Sequence, residues 1–158
     1  MMRDTRRSLG STHQIQSCLF VGGEKEACDP SFIEANNIHS VITLTLRKHE
    51  ATVHWFPLSD DQSGCDAFLG CADSIADCIN SELMKGKNVL VHCRAGKNRS
   101  TSAIIAYLIR HKKLSLAEAR KKFSSYFGLD WKKQLRSNRF NLALQQYCEL
   151  NQASATAC

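Results

Sequence analysis

The chain has 158 residues, 43% of them hydrophobic and 23% charged, and 21 Lys and Arg against 15 Asp and Glu leave a formal net charge of +6. That is the length of one domain, enough to bury a core without cross-links, and the composition is that of a soluble globular protein. No apolar run approaches the ~20 residues of a membrane-spanning helix, and the basic start Met1 to Arg7 leads into no apolar stretch, so no secretory leader is expected.

Cys18 to Val21 reads as a short strand, ended by a turn at Gly22 and Gly23. Asp29 and Pro30 fit an N-cap and a first helical position, and that short helix ends near Asn36 and Asn37. Ile38 to Leu46, rich in β-branched and apolar residues, predicts a buried strand, and Val53 to Leu58 another. The polar run Ser59 to Gly64 predicts a loop. From Asp66 to Met84, Phe68, Ala72, Ile75, Ile79 and Leu83 recur at helical spacing, until Lys85-Gly86-Lys87 breaks the pattern. Val89 to Val91 is a compact apolar strand, followed by a loop as far as Gly96.

Ser100 to His111 is again helical, and Ser115 with Glu118 matches a capping box that opens a helix running to about Phe127, where Gly128 can end it. A last helix is expected over roughly Ser137 to Leu150. The domain is thus placed at residues 15–150, with flexible ends at 1–14 and 151–158. Strands alternating with helices predict an α/β fold, a central sheet flanked by helices.

Eight cysteines invite a disulfide framework, but their spacing and the lack of a leader argue for free thiols in a reducing cytoplasm, with the nucleus as the alternative location. No C-x-x-C pair suggests a zinc site, and neither metal nor organic cofactor is implied. Between Lys112 and Arg139 nine Lys or Arg face only Glu118 and Asp130, which is either a solvated helical surface or a surface for an anionic partner.

Chemistry concentrates in Val89 to Thr101. A buried strand delivers Cys93 into the loop Arg94, Ala95, Gly96, Lys97, Asn98, and the loop runs into a helix at Arg99 and Ser100. Successive backbone N–H groups and a helix N-terminus then converge on one spot, an anion cradle. Gly96 permits the tight turn, and Arg99 adds a planar fork for two phosphate oxygens. The same field favours the thiolate of Cys93, a nucleophile at phosphorus. Ser100 can hydrogen-bond the sulfur and help it leave in a second step, while His92 is expected to hold the loop by hydrogen bonds. A general acid must protonate the leaving oxygen. Asp60 in Phe56-Pro57-Leu58-Ser59-Asp60 is the candidate, and the adjacent Asp61 its rival. The plainer alternatives are a buried core cysteine with surface charges around it, and aspartates that merely cap a helix.

His92 to Ser100 matches the H-C-x-x-G-x-x-R-S/T signature, and the chain from about Ile15 to Glu149 resembles the small dual-specificity phosphatases of the protein tyrosine phosphatase superfamily. Ile15 to Gly22, Asn37 to Leu44, Ser102 to Leu108 and Ser115 to Ala119 resemble that family's opening strand, second strand and two later helices. Phe56 to Asp60 resembles the entry to its acid loop, which favours Asp60 over Asp61. The resemblance implies a phosphotyrosine-phosphatase-like fold with a mostly parallel sheet, and a cysteine-dependent phosphatase acting on phosphorylated proteins. Two departures stand out: a short Leu46 to Trp55 stretch, and a basic Ser125 to Phe140 segment with Trp131 in place of the usual proline-asparagine approach to the last helix.

Arg94 and Lys97 add charge where small neutral residues are more usual in that family. They fit a substrate with more than one phosphate, such as a phosphoinositide lipid or the 5′ phosphates of RNA, unless they point to solvent or pair with Asp60, Asp61 or Glu82. A phosphate-binding module without catalysis is the third reading, disfavoured because Cys93, Arg99, Ser100 and an acid-loop aspartate are all present. Oligomeric state is not legible.

Overall fold

A computed structural model describes residues 18–128 and 131–157. Four strands, β1 (Leu19–Gly22), β2 (Ser40–Thr43), β3 (His54–Trp55) and β4 (Val89–His92), form an all-parallel sheet in the order β1-β4-β2-β3. β4 is central. Its Val89 and His92 stand opposite Leu19 and Gly22 on one side and Ser40 and Thr43 on the other. All four β4 residues are fully buried, which is why the run reads as continuously apolar up to His92. The carboxyl ends of β1, β4 and β2 thus lie level, and the loop carrying Cys93 leaves the sheet between its two neighbours, where open parallel sheets bind ligands.

The helices are α1 (Glu24–Ala27), α2 (Pro30–Ala35), α3 (Gln62–Met84), α4 (Arg99–Lys112), α5 (Leu116–Phe127), α6 (Trp131–Arg136) and α7 (Asn141–Ala157). Phe20 of β1 meets Phe32 of α2 edge-on at 6.2 Å. The apolar stripe of α3 is buried, and its Phe68 packs edge-on against Phe140 at 5.6 Å. Two helix starts follow the sequence closely. The Asp29 side chain accepts from Ser31 N at 3.0 Å, and Ser115 and Glu118 exchange both bonds of a capping box at 3.0 and 3.1 Å.

Several elements differ from expectation. The run 59–64 is loop only to Asp61, whose side chain accepts from Gly64 N at 2.9 Å and starts α3 at Gln62, four residues before Asp66. β3 shrinks to two residues at the sheet edge. The last helix starts at Asn141, because residues 131–136 form a separate turn of helix whose carbonyls at Leu135 and Arg136 are taken by Asn141 Nδ2 at 3.1 Å each. It continues to Ala157, so most of the stretch read as a patternless tail is helical. The expected N-terminal segment 1–14 lies outside the described residues.

No helix among the described residues is long and apolar enough to cross a membrane. The seven described cysteines are free thiols. Burial raises the thiol pKa of Cys78 to about 11, and it also raises those of Cys71 and Cys65.

Candidate active site

The loop after β4 is held by backbone before any side chain acts. Cys93 N–H donates to Gly22 O at 3.3 Å, and Glu24 N–H to Arg94 O at 3.0 Å. Such contacts require that no side chain intervene. A Cβ on Gly23 would lie 2.6 Å from Arg94 O, and one on Gly96, which has φ +72°, would lie 2.8 Å from the Gly22 carbonyl carbon. Gly22 and Gly23, read in the sequence as a simple turn, are therefore the seat of the loop that carries Cys93. The doublet was the available signal, but what it contacts depends on the β1–β4 pairing.

Beneath the loop, a directional chain fixes His92. Its Nδ1 lies 3.1 Å from Cys93 O, an acceptor, so Nδ1 carries the proton and Nε2 accepts. Thr43 Oγ1, 2.8 Å away, then donates to Nε2 and in turn accepts from Thr52 Oγ1 at 2.7 Å, which accepts from His49 N–H at 2.8 Å. Burial lowers the pKa of His92 to about 4, keeping it neutral, and the His49 ring lies against it with centroids 5.4 Å apart. The expected role of His92 as a holder of the loop matches this geometry.

Cys93 is 2% exposed, with Sγ 3.3 Å from Ser100 Oγ. Arg99 is 6% exposed, and its Nη1 donates to Leu58 O at 2.7 Å. Leu58 N–H in turn donates to Leu44 O at 3.2 Å, so the guanidinium is anchored to the sheet. Arg99 Nε is buried and has no hydrogen-bond partner among the described residues, an orphan donor that a phosphate oxygen would satisfy. α4 opens at Arg99 without a side-chain cap, because the Asn98 side chain is engaged elsewhere. Its first amides are left for a ligand.

The two aspartates separate cleanly. Asp60 lines the cleft, and its carboxylate accepts from Asn98 Nδ2 at 3.2 and 3.4 Å. Asp61 is exposed and caps α3. Hydrogen bonds from the Ser59 hydroxyl and the Gly64 amide hold its carboxyl below the usual range, a poor state for a proton donor. The whole forms an open cleft of about 660 Å³ that brings together Asp60, Cys93, Arg94, Ala95, Lys97, Asn98 and Arg99. Gly96 and Ser100 lie in the loop and helix beneath.

Arg94 and Lys97 are exposed and form no ion pair among the described residues. Glu82, one expected partner, is instead bound by Lys85 and Lys87 at 3.2 and 3.0 Å. A further cation, Arg47, and Glu24 line the same cleft. Nothing local in the sequence of the β2–β3 connection or the first turn of α1 marks either as a neighbour of Cys93.

The family model described as dual specificity phosphatase, catalytic domain, matches residues 19–152. The chain belongs to that family. Among curated relatives, dual specificity protein phosphatase 18 of Bos taurus is 32% identical over 119 residues, 71% of this chain and 61% of its own length. Dual specificity protein phosphatase 14 of Mus musculus is 34% identical over 116 residues, 70% of this chain and 58% of its own length. The chain therefore spans about three fifths of the curated relatives it matches. Among solved structures, human DUSP28 superposes with a TM-score of 0.72 at 22% identity, covering 87% of this chain and 93% of that one. The dual-specificity-phosphatase fold and the all-parallel sheet agree with the architecture read from the sequence.

Proposed function

We propose that the chain hydrolyses phosphomonoesters on protein Tyr and Ser/Thr side chains through a phosphocysteine on Cys93. The Cys93 thiolate attacks phosphorus, forming the P–S bond as the P–O bond to the leaving group breaks. Asp60 gives its proton to the departing oxygen. Water then attacks phosphorus and passes a proton to Asp60, the P–S bond breaks, and the Ser100 hydroxyl stabilises the returning thiolate. Arg99 and the loop amides hold the equatorial oxygens throughout. The observation that carries this reading is the pairing of Cys93 Sγ, 3.3 Å from Ser100 Oγ, with the orphan Nε of the buried Arg99. The names of the relatives support a phosphoprotein as substrate.

A second reading is favoured by Arg47, Arg94 and Lys97, three exposed cleft cations without carboxylate partners among the described residues. They fit a polyanionic non-protein substrate, a phosphoinositide or an RNA 5′ phosphate. The test is phosphate release from a matched panel of phosphotyrosine and phosphothreonine peptides, phosphoinositides and 5′-triphosphorylated RNA. Preference for the peptides supports the protein phosphatase. A large preference for a polyanion, lost in Arg94→Ala and Lys97→Ala and steeply weakened by salt, supports the second reading.

A further inference from the structure

The basic segment that departs from the family pattern reaches the proposed acid. Arg139 Nη1 donates to the backbone carbonyl of Asp60. Gln134 Nε2 donates to Asn98 Oδ1 at 3.3 Å, while Asn98 Nδ2 donates to the Asp60 carboxylate. The two amides orient each other. Turning Asn98 over would set its oxygen against the carboxylate and its NH2 against the NH2 of Gln134.

Arg139 projects from fixed ground. The neighbouring Asn138 is 5% exposed, donates to Ser102 Oγ at 3.0 Å and accepts from Phe140 N–H at 2.9 Å. Phe140 is fully buried against Phe68, and the Cys65 thiol donates to Arg139 O at 3.6 Å. The loop bearing Asp60 is thus tied at its carbonyl to the turn before α7, and at its carboxylate to the residue that precedes Arg99. A proton donor acts only when it lies on the leaving oxygen, in line with Cys93, and one amide here sets its distance from the phosphate cradle.

We propose that Asn98, oriented by Gln134, and Arg139 are positioning residues that hold Asp60 over the scissile bond, so that residues 131–140 form part of the catalytic geometry. This rests on the reading of Asp60 as general acid.

The experiment compares Asp60→Ala, Gln134→Ala, Arg139→Ala, Arg139→Lys and the double variant Asp60→Ala/Arg139→Ala on phenyl phosphate, a poor leaving group, and p-nitrophenyl phosphate, a good one. Gln134→Ala and Arg139→Ala should each lower kcat/KM for phenyl phosphate, which reports the step that breaks the P–O bond and not the later hydrolysis shared by both substrates, about tenfold, the size of one lost charge-assisted hydrogen bond, and change kcat/KM for p-nitrophenyl phosphate less than about twofold. Arg139→Lys, which keeps a donor, should recover part of the loss, and Arg139→Ala should cost nothing more once Asp60 is gone. Equal losses of kcat/KM on both substrates, a loss that persists in the Asp60→Ala background, or no loss at all would overturn the positioning role. If Asp60→Ala itself shows no dependence on leaving group, the acid assignment falls and the positioning role falls with it. If Asp60→Ala shows that dependence and the brace variants do not, this inference alone fails.

Discussion

Replacing Gly64 with alanine would set a methyl group 1.6 Å from the Ser59 carbonyl oxygen, although Gly64 lies in the first turn of α3. Propensity alone favours the change, since alanine is better than glycine inside a helix by about 1 kcal/mol. Sterics oppose it. Real Cβ contacts essentially never fall below 3.0 Å, so the carbonyl must retreat by at least about 1.4 Å. Leu58 is buried and bonded to Leu44, so the movement falls on Ser59 and Asp60. Overpacking of this kind costs about 1–3 kcal/mol, which offsets the helix gain and leaves a fold that is intact or modestly weakened. A displacement of about 1 Å at a catalytic group can cost on the order of 100-fold. The assay is kcat/KM for phenyl phosphate beside p-nitrophenyl phosphate, which reports only the step that breaks the P–O bond, with thermal unfolding as control. The first should fall about 100-fold and the second by only a few-fold. Full activity on phenyl phosphate, or an equal loss on both with an unchanged melting temperature, would refute the argument that Gly64 seats the acid loop.

Gly96→Ala meets a positive φ and a backbone contact at 2.8 Å together, so it should abolish turnover and weaken vanadate binding at least about 10-fold, read by inhibition and equilibrium titration. Thr43→Val removes the hydroxyl that donates to His92 and leaves a buried acceptor unpaired, a loss of about 1–3 kcal/mol measurable in urea unfolding. His92, held near 4 by burial, refuses a proton that the unfolded chain accepts near 6.5. Its contribution to stability should therefore decline as pH falls from about 6.5 to 4, a slope that His92→Asn should flatten. Glu82 is 2% exposed; burial would raise its carboxyl, but the hydrogen bonds led by that from Lys87 prevail and hold it at about 2. Glu82→Gln should destabilise by about 2 kcal/mol at neutral pH. The difference from the parent, full above about 4.5, should vanish as pH falls to 2 in paired denaturant melts.

The legible parts of this molecule are those where a residue's partner is close in sequence. Asp29 with Ser31, Ser115 with Glu118, and the run from Cys93 through Ser100 are local devices. The sheet followed from the apolar strands that alternate with helices. The start of α3 was hidden because its cap, Asp61, sits in a polar run that also contains Gly64, and glycine argues against helix until its packing on Ser59 is seen. The end of α7 was missed because Asn151, Gln152 and Ser154 carry no apolar period, although the adjacent alanines favour helix. α1 and α6, of four and six residues, are too short for any periodicity to show. Within the site, Cys93, Arg99 and Asp60 could be picked out from sequence as candidates, and they line one cleft. Gly22, Thr43, Gln134 and Arg139 could not, because each meets its partner across a strand pairing or a helix packing.

The central claim is that phosphate passes through Cys93. The direct test is an acid-quenched single turnover with a labelled phosphomonoester, run on the parent chain, on Ser100→Ala and on Cys93→Ser, with the labelled peptide located by mass spectrometry. The account predicts a phosphocysteine at Cys93 that accumulates in Ser100→Ala, where the thiolate leaves more slowly, and neither label nor turnover in Cys93→Ser. Turnover that survives in Cys93→Ser, or label found on another residue, would contradict it.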